Sequence, residues 1–198
     1  YELALKIDPD QLEAIASMLY AEMVRHGYTH VAEFHYLHHD KKGKSFENIA
    51  EMGSRLIQAA KNAGINITLI PIFYQKGGFG KEPTIEQRRF ISNNIDAYIR
   101  LFEASKSLTS NEPHANVGLG IHSMRAVETD NIIKVSNYRK DHIPFHIHVS
   151  EQIKEVKDSL QYLKARPVEW LSDNIPLSKE YHLVHATHLV EKEINAIA

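Results

Sequence analysis

The stretch PFHIHVSEQ, residues 144–152, sets His146 and His148 two residues apart and puts Glu151 three residues beyond the second histidine. Imidazole nitrogen is a good ligand for Zn2+ or Fe2+. A carboxylate one turn away can take a proton from metal-held water without being a ligand itself. His185, in YHLVHA, could hold or polarise that water. Arg125, in IHSMRAV, could clamp a substrate carboxylate in bidentate fashion. Each residue also has a plain role: a hydrogen-bonded core histidine, a carboxylate at a helix N-terminus, a solvated loop arginine.

The elements around these residues decide between the two. Asp8-Pro9-Asp10 opens a helix carrying Leu12, Ile15, Leu19 and Met23 at helical spacing, and Gly27 ends it. Five strands follow: THVAEFHY (29–36), NITLIPIF (66–73), NVGLGIH (116–122), PFHIHV (144–149) and YHLVHA (181–186). Helices are expected between them over roughly 46–63, 84–107 and 128–140, with helical sequence after the fourth strand to Lys164, a short helix at 167–174 and another opening at EKEINAIA. The order is α-(βα)5, with no change of composition to mark a second domain, so residues 1–198 read as one partial domain.

Strands that are apolar on both faces and alternate with helices form a parallel sheet covered by helices. On strand count an open, doubly wound sheet fits five strands better than a TIM barrel, which needs eight strands and about 250 residues. The strand ends reverse that preference. They carry Glu33, His35 and Tyr36, then Tyr74, then His122, then His146, His148 and Glu151, then His185. Four of five ends finish in histidine, whereas an open sheet gathers its ligand groups at one switch point. His146 and His148 share one strand face, with His148 nearer the open end. The first βα loop lacks GxGxxG, and GGFG does not open a helix in that pattern. His26, His30, His39, His114, His142 and His182 are expected to be surface or structural, and His38 and His188 stay undecided. In EQRRF at most one of the two adjacent arginines can face a site.

The totals exclude several classes. With 198 residues, 43% hydrophobic and 24% charged, the composition is that of an ordinary globular protein. A net charge of −2 gives no basic surface for nucleic acid or anionic lipid. No run approaches the roughly 20 apolar residues of a membrane span. The absence of cysteine removes disulfides and thiolate metal sites and fits a cytoplasmic location.

HIHVSEQ, ARPVEW and LVHATH together resemble the amidohydrolase superfamily, and AEFHYLHHD, GGFG…QRRF and IHSMRAV resemble its formimidoylglutamate deiminase branch. The resemblance runs through essentially the whole sequence. It implies a (β/α)8 barrel with one divalent metal, zinc before iron, and hydrolysis of N-formimidoyl-L-glutamate to N-formyl-L-glutamate and ammonia. On the matched positions His148 is a metal ligand, Glu151 the proton shuttle and His185 the residue that orients the hydroxide. Tyr36, His122 and Arg125 bind substrate. The expected partners are a small substrate bearing carboxylates and, at full length, a second copy in a homodimer. The family's first-strand H-x-H pair, its last-strand ligand aspartate and a substrate-binding glutamine and arginine are not matched here. The chain therefore corresponds to about strands 2–6 of 8, an incomplete TIM barrel whose metal site is incomplete. It is expected to be inactive and aggregation-prone alone, as part of an enzyme of roughly 400 residues. The rivals are another deaminase or chlorohydrolase of the superfamily acting on a flat heterocycle, and a non-catalytic α/β module with a reversed strand order.

Overall fold

The computed structural model describes residues 2–140 and 142–198. The chain packs as two compact units, one made of the stretch ending at Ile72 with Thr84–Gly118, the other of Phe73–Pro83 with Leu119–Ala198.

In the first unit, α1 (Pro9–Arg25) starts at a reciprocal cap. The Asp8 carboxylate accepts the Gln11 N–H while the Gln11 side chain accepts the Asp8 N–H. Strand β1 (His30–His35) runs parallel to β2 (Asn66–Phe73), which lies in this unit except for its last residue. Between them α2 (Glu51–Ala63) ends at Gly64, whose φ of 77° is the left-handed stop that glycine takes without strain. Tyr20 of α1, Leu56 and Ala60 of α2, and Ile67 and Leu69 of β2 form the apolar core. Helix and strand approach closely at Gly53, where a Cβ would lie 2.9 Å from Leu69 Cδ2 and the end of that leucine side chain would have to shift. A 3-10 turn at Ile85–Gln87 precedes α3 (Ile95–Thr109), and β3 (Ala115–Val117) pairs parallel with β2.

The second unit holds β4 (Leu119–Ser123), α4 (Thr129–Tyr138), β5 (Phe145–Val149), α5 (Ile153–Leu163), α6 (Pro167–Asn174), β6 (Tyr181–His185) and α7 (Glu191–Ile197). Strands β4, β5 and β6 are parallel and adjacent in chain order, Phe145 facing Leu119 on one side and Tyr181 on the other. Phe145, Ile147 and Val149 are fully buried, leaving His146 and His148 on the opposite face of β5. Among the described residues no helix is long and apolar enough to cross a membrane.

Three elements differ from the sequence expectation. The third strand is split at Gly118 into β3 and β4, and the Gly118 N–H donates to Leu69 O. The helix expected over 46–63 begins only at Glu51, where the Asn48 side chain accepts the Ala50 N–H. The helix expected from residue 84 is interrupted until the Asn94 side chain caps α3 through the Ala97 N–H.

Candidate active site

Within each unit the strands run in chain order without a reversal, so the carboxyl ends of β4, β5 and β6 lie side by side. They bring His122, His148, Glu151 and His185 together. Register slips between Ile121 and Ser123, making His122 the bulged residue at the end of β4. Its carbonyl oxygen accepts a hydrogen bond from His148 Nδ1 at 3.1 Å. The two rings meet edge to face at 5.4 Å, and the His122 ring also lies 4.4 Å from that of buried Tyr74. His148 stacks on His185 at 5.1 Å with the planes 29° apart. Glu151 Oε1 is 4.0 Å from His185 Nε2, both side chains being partly exposed.

Left-handed backbone aims these groups. Ser150 has φ 50°, His185 φ 70° and Ala186 φ 46°, all non-glycine. Such conformations cost on the order of 1–3 kcal/mol and persist where surrounding contacts enforce them. Here the Ala186 N–H donates to Val149 O at 2.9 Å and the His188 N–H to Ser150 O at 3.0 Å, tying the two strand ends together. The Glu155 carboxylate, 3% exposed, accepts the N–H groups of Ser150 at 3.2 Å and Glu151 at 3.0 Å.

Burial sets the protonation. It pushes His122 down to about 3, with His148 and Arg125 adding to the effect. His148 is also lowered, chiefly by burial; the His122 carbonyl and Glu151 oppose this, while His185 and Arg125 add to it. Both rings are therefore neutral at neutral pH. The bond to His122 fixes the tautomer of His148, with the proton on Nδ1 and the lone pair on Nε2, as a metal-ligating histidine requires. Among the described residues no group of three or more His, Asp or Glu side chains is spaced to hold a metal ion. The donor set thus fits one corner of a divalent metal's coordination sphere and does not complete it.

Arg125 lines a cavity of about 520 Å3 that also touches Lys81, Gln152, Glu155 and Tyr162. The histidines do not line that cavity, which lies beside the strand ends against α5. The Arg125 Nε is buried without a hydrogen-bond partner among the described residues. Gln75 steadies the Arg125 loop: its N–H donates to Ala126 O at 2.7 Å, and its side-chain oxygen accepts the Glu128 N–H at 3.2 Å. The GGFG segment is a tight turn, with Gly78 bridged to Lys81 and Phe79 packed 5.5 Å from the Tyr162 ring.

The remaining expected residues have other immediate neighbours. Tyr36 belongs to the first unit, its ring edge-on to Phe90 at 5.1 Å. Glu33 and His35 do not join the strand-end set: Glu33 accepts the Tyr20 hydroxyl proton from α1, and His35 lies against Gly53 of α2. His146 is buried, stacked 4.4 Å from His182 and pushed down to about 4, chiefly by burial. Of the EQRRF pair, Arg89 is fully buried and donates to His39 O and Ile7 O, while Arg88 donates to Lys41 O. The sequence reading missed Glu155; the only trace it leaves is a second glutamate four residues after Glu151.

Comparison with known proteins shows the family and the fold. Residues 2–198 match the amidohydrolase family as a whole. The chain is 43% identical over its full length to the formimidoylglutamate deiminase of Pseudomonas aeruginosa, of which it covers 44%. An amidohydrolase from Brucella melitensis superposes with a TM-score of 0.94 at 42% identity, over 98% of this chain and 43% of that one. The zinc complex of an atrazine chlorohydrolase from Arthrobacter aurescens shares the fold at a TM-score of 0.78 and 19% identity, over 97% of this chain and 41% of that one. The chain spans less than half the length of these relatives.

Proposed function

Because the chain belongs to the amidohydrolase family and has the α/β fold of an incomplete TIM barrel, we propose that it is part of a metal-dependent hydrolytic deiminase acting on N-formimidoyl-L-glutamate. The observation that carries this is the placing of Glu151 beside His185, with His185 stacked on the tautomer-fixed His148. The 43% identity to a named formimidoylglutamate deiminase supports the substrate.

His148 would hold the metal through Nε2, with further ligands outside this segment. A divalent ion bound there, zinc before iron, would supply Lewis acidity that makes water nucleophilic near neutral pH. Glu151 would accept a proton from the attacking water as the water oxygen adds to the amidine carbon and pass it to the imino nitrogen. The proton of the resulting hydroxyl would follow the same route to complete the departing ammonia. The C–N bond breaks, ammonia leaves and the formyl carbonyl remains. His185 holds the attacking oxygen in line with Glu151. Arg125 pairs with a substrate carboxylate from the cavity wall, and Tyr36 and His122 complete substrate binding. The full-length enzyme is cytoplasmic and homodimeric under the same proposal.

The test is ammonia release by the full-length zinc-loaded protein from N-formimidoyl-L-glutamate, guanine and S-adenosylhomocysteine. Turnover of the first alone, abolished in Glu151→Gln with metal retained, is the expected result. Preference for either heterocycle would refute the substrate.

A further inference from the structure

The carboxylate of Glu155 is almost completely buried, yet no part of the chemistry above uses it. We propose that Glu155 is a positioning residue for Glu151: by accepting two consecutive backbone N–H groups it locks the turn that aims the Glu151 carboxylate at His185. The proposal rests on the proton-shuttle role of Glu151.

The hydrogen-bond pattern separates this from ordinary helix capping. Glu155 is the third residue of α5, and a glutamate there normally reaches back to the N-cap residue. The N-cap is Gln152, and Glu155 passes over it. One oxygen takes the N–H of Ser150 and the other that of Glu151, the two residues on which the chain leaves β5. Ser150 is the residue with φ 50°. A serine holds that conformation only where its surroundings enforce it, and the Glu155 clamp is the contact that spans it.

A carboxylate suits the task for a reason of chemistry. Both of its oxygens accept, so both N–H donors are satisfied at once. A glutamine would offer one acceptor and turn an NH2 donor toward the second N–H. An aspartate keeps both acceptors on a side chain one methylene shorter.

The effect should fall on turnover and spare binding. Glu151 meets the reacting atoms, whereas Arg125 follows β4, on a different strand from the Ser150 turn, and shares with Glu155 only the wall of one cavity. In the full-length zinc-loaded protein, Glu155→Gln should lower kcat about 10- to 100-fold, the size of a small misplacement of a catalytic group, with KM within about twofold. In a Glu151→Asp background the same change should cost far less, because the group it positions is already displaced. Losses that multiply across the two backgrounds, an unchanged kcat, or a raised KM at constant kcat would each overturn the proposal. If the variants fail to fold, hydrogen exchange of the wild type still decides it. The amides of Ser150 and Glu151 should both exchange slowly, and exchange as fast as in an unstructured peptide would overturn it. Retained turnover in Glu151→Gln overturns the shuttle role and this proposal with it. A dead Glu151→Gln beside a fully active Glu155→Gln overturns the positioning role alone.

Discussion

His148 donates its Nδ1 proton to the carbonyl oxygen of His122, 3.1 Å away. The bond crosses from β5 to the bulge that ends β4, so a backbone irregularity on one strand sets the tautomer of a side chain on the next. The lone pair on Nε2 is thereby fixed in place before any metal arrives.

Replacing His148 by Ala should therefore reduce zinc affinity of the full-length protein by more than the roughly 10- to 100-fold that loss of an outer hydrogen bond costs. Zinc content after dialysis against a competing chelator measures it. Wild-type stoichiometry in the variant would remove His148 from the ligand set. The 198 residues expressed alone should bind zinc only weakly, because a single imidazole does not make a site.

The sequence made the parallel α/β order and the strand-end chemistry legible because both follow from local rules. Period-two alternation places His146 and His148 on one face, and active groups of such folds collect at the carboxyl ends of strands. The finer placement obeys no such rule. Glu33 and His35 also stand at a strand end, but they lie against α1 and α2 respectively, and only packing partners such as Tyr20 and Gly53 show which face they occupy. The bulge at His122 and the left-handed Ser150 and His185 are conformations that non-glycine residues seldom take and that residue type does not signal. They are imposed by contacts between strands, which spacing along one strand does not encode.

Arg125 is expected to contribute only when the substrate carries carboxylates. Arg125→Ala should lower kcat/KM for N-formimidoyl-L-glutamate by about 2–4 kcal/mol, roughly 30- to 1000-fold, the usual cost of removing one partner of a desolvated charged pair. Arg125→Lys should recover part of that loss, since an ammonium keeps the charge and gives up the bidentate fork. A formimidoylated simple alkylamine, which has no carboxylate, should be turned over equally by wild type and variant. Equal losses on both substrates would show that Arg125 acts on the fold of the loop.

Glu193 holds together the segment that follows His185. Its side chain, 1% exposed, receives Arg166 Nε at 2.7 Å and the N–H groups of Val168 at 3.2 Å and Val190 at 3.1 Å. Arg166 also donates to His188 O at 2.6 Å. Glu193→Gln takes the carboxylate from three donors but leaves Arg166 22% exposed and bonded to His188 O, so it should destabilise the protein by about 1–3 kcal/mol. Chemical denaturation checks this. A loss below about 1 kcal/mol would place the pair among weak surface ion pairs.

His35 and His38 make the first unit sensitive to acid. Their rings meet edge to face at 5.0 Å, and both side chains are buried. Among the described residues neither nitrogen of His35 has a hydrogen-bond partner, while His38 donates only through Nε2, to Ile72 O at 3.0 Å. Burial pushes His38 down to about 4, with the Ile72 carbonyl opposing and His39 adding to it. It pushes His35 well below the usual histidine range, with His38 adding. Above pH 6.5 these rings are neutral in the folded and unfolded chain alike, and the full stability is present. As pH falls from 6.5 toward 4, the unfolded chain takes up protons that the folded chain refuses, so stability is lost. His38 alone should account for about 3 kcal/mol over that window, at roughly 1.4 kcal/mol per pH unit. His35→Phe removes one titrating ring without breaking a hydrogen bond. It should leave stability at pH 7.5 unchanged or higher and make the fall between pH 6.5 and 4 shallower. Denaturant midpoints measured across that range provide the check, and parallel curves for wild type and variant would show that His35 does not drive the acid sensitivity.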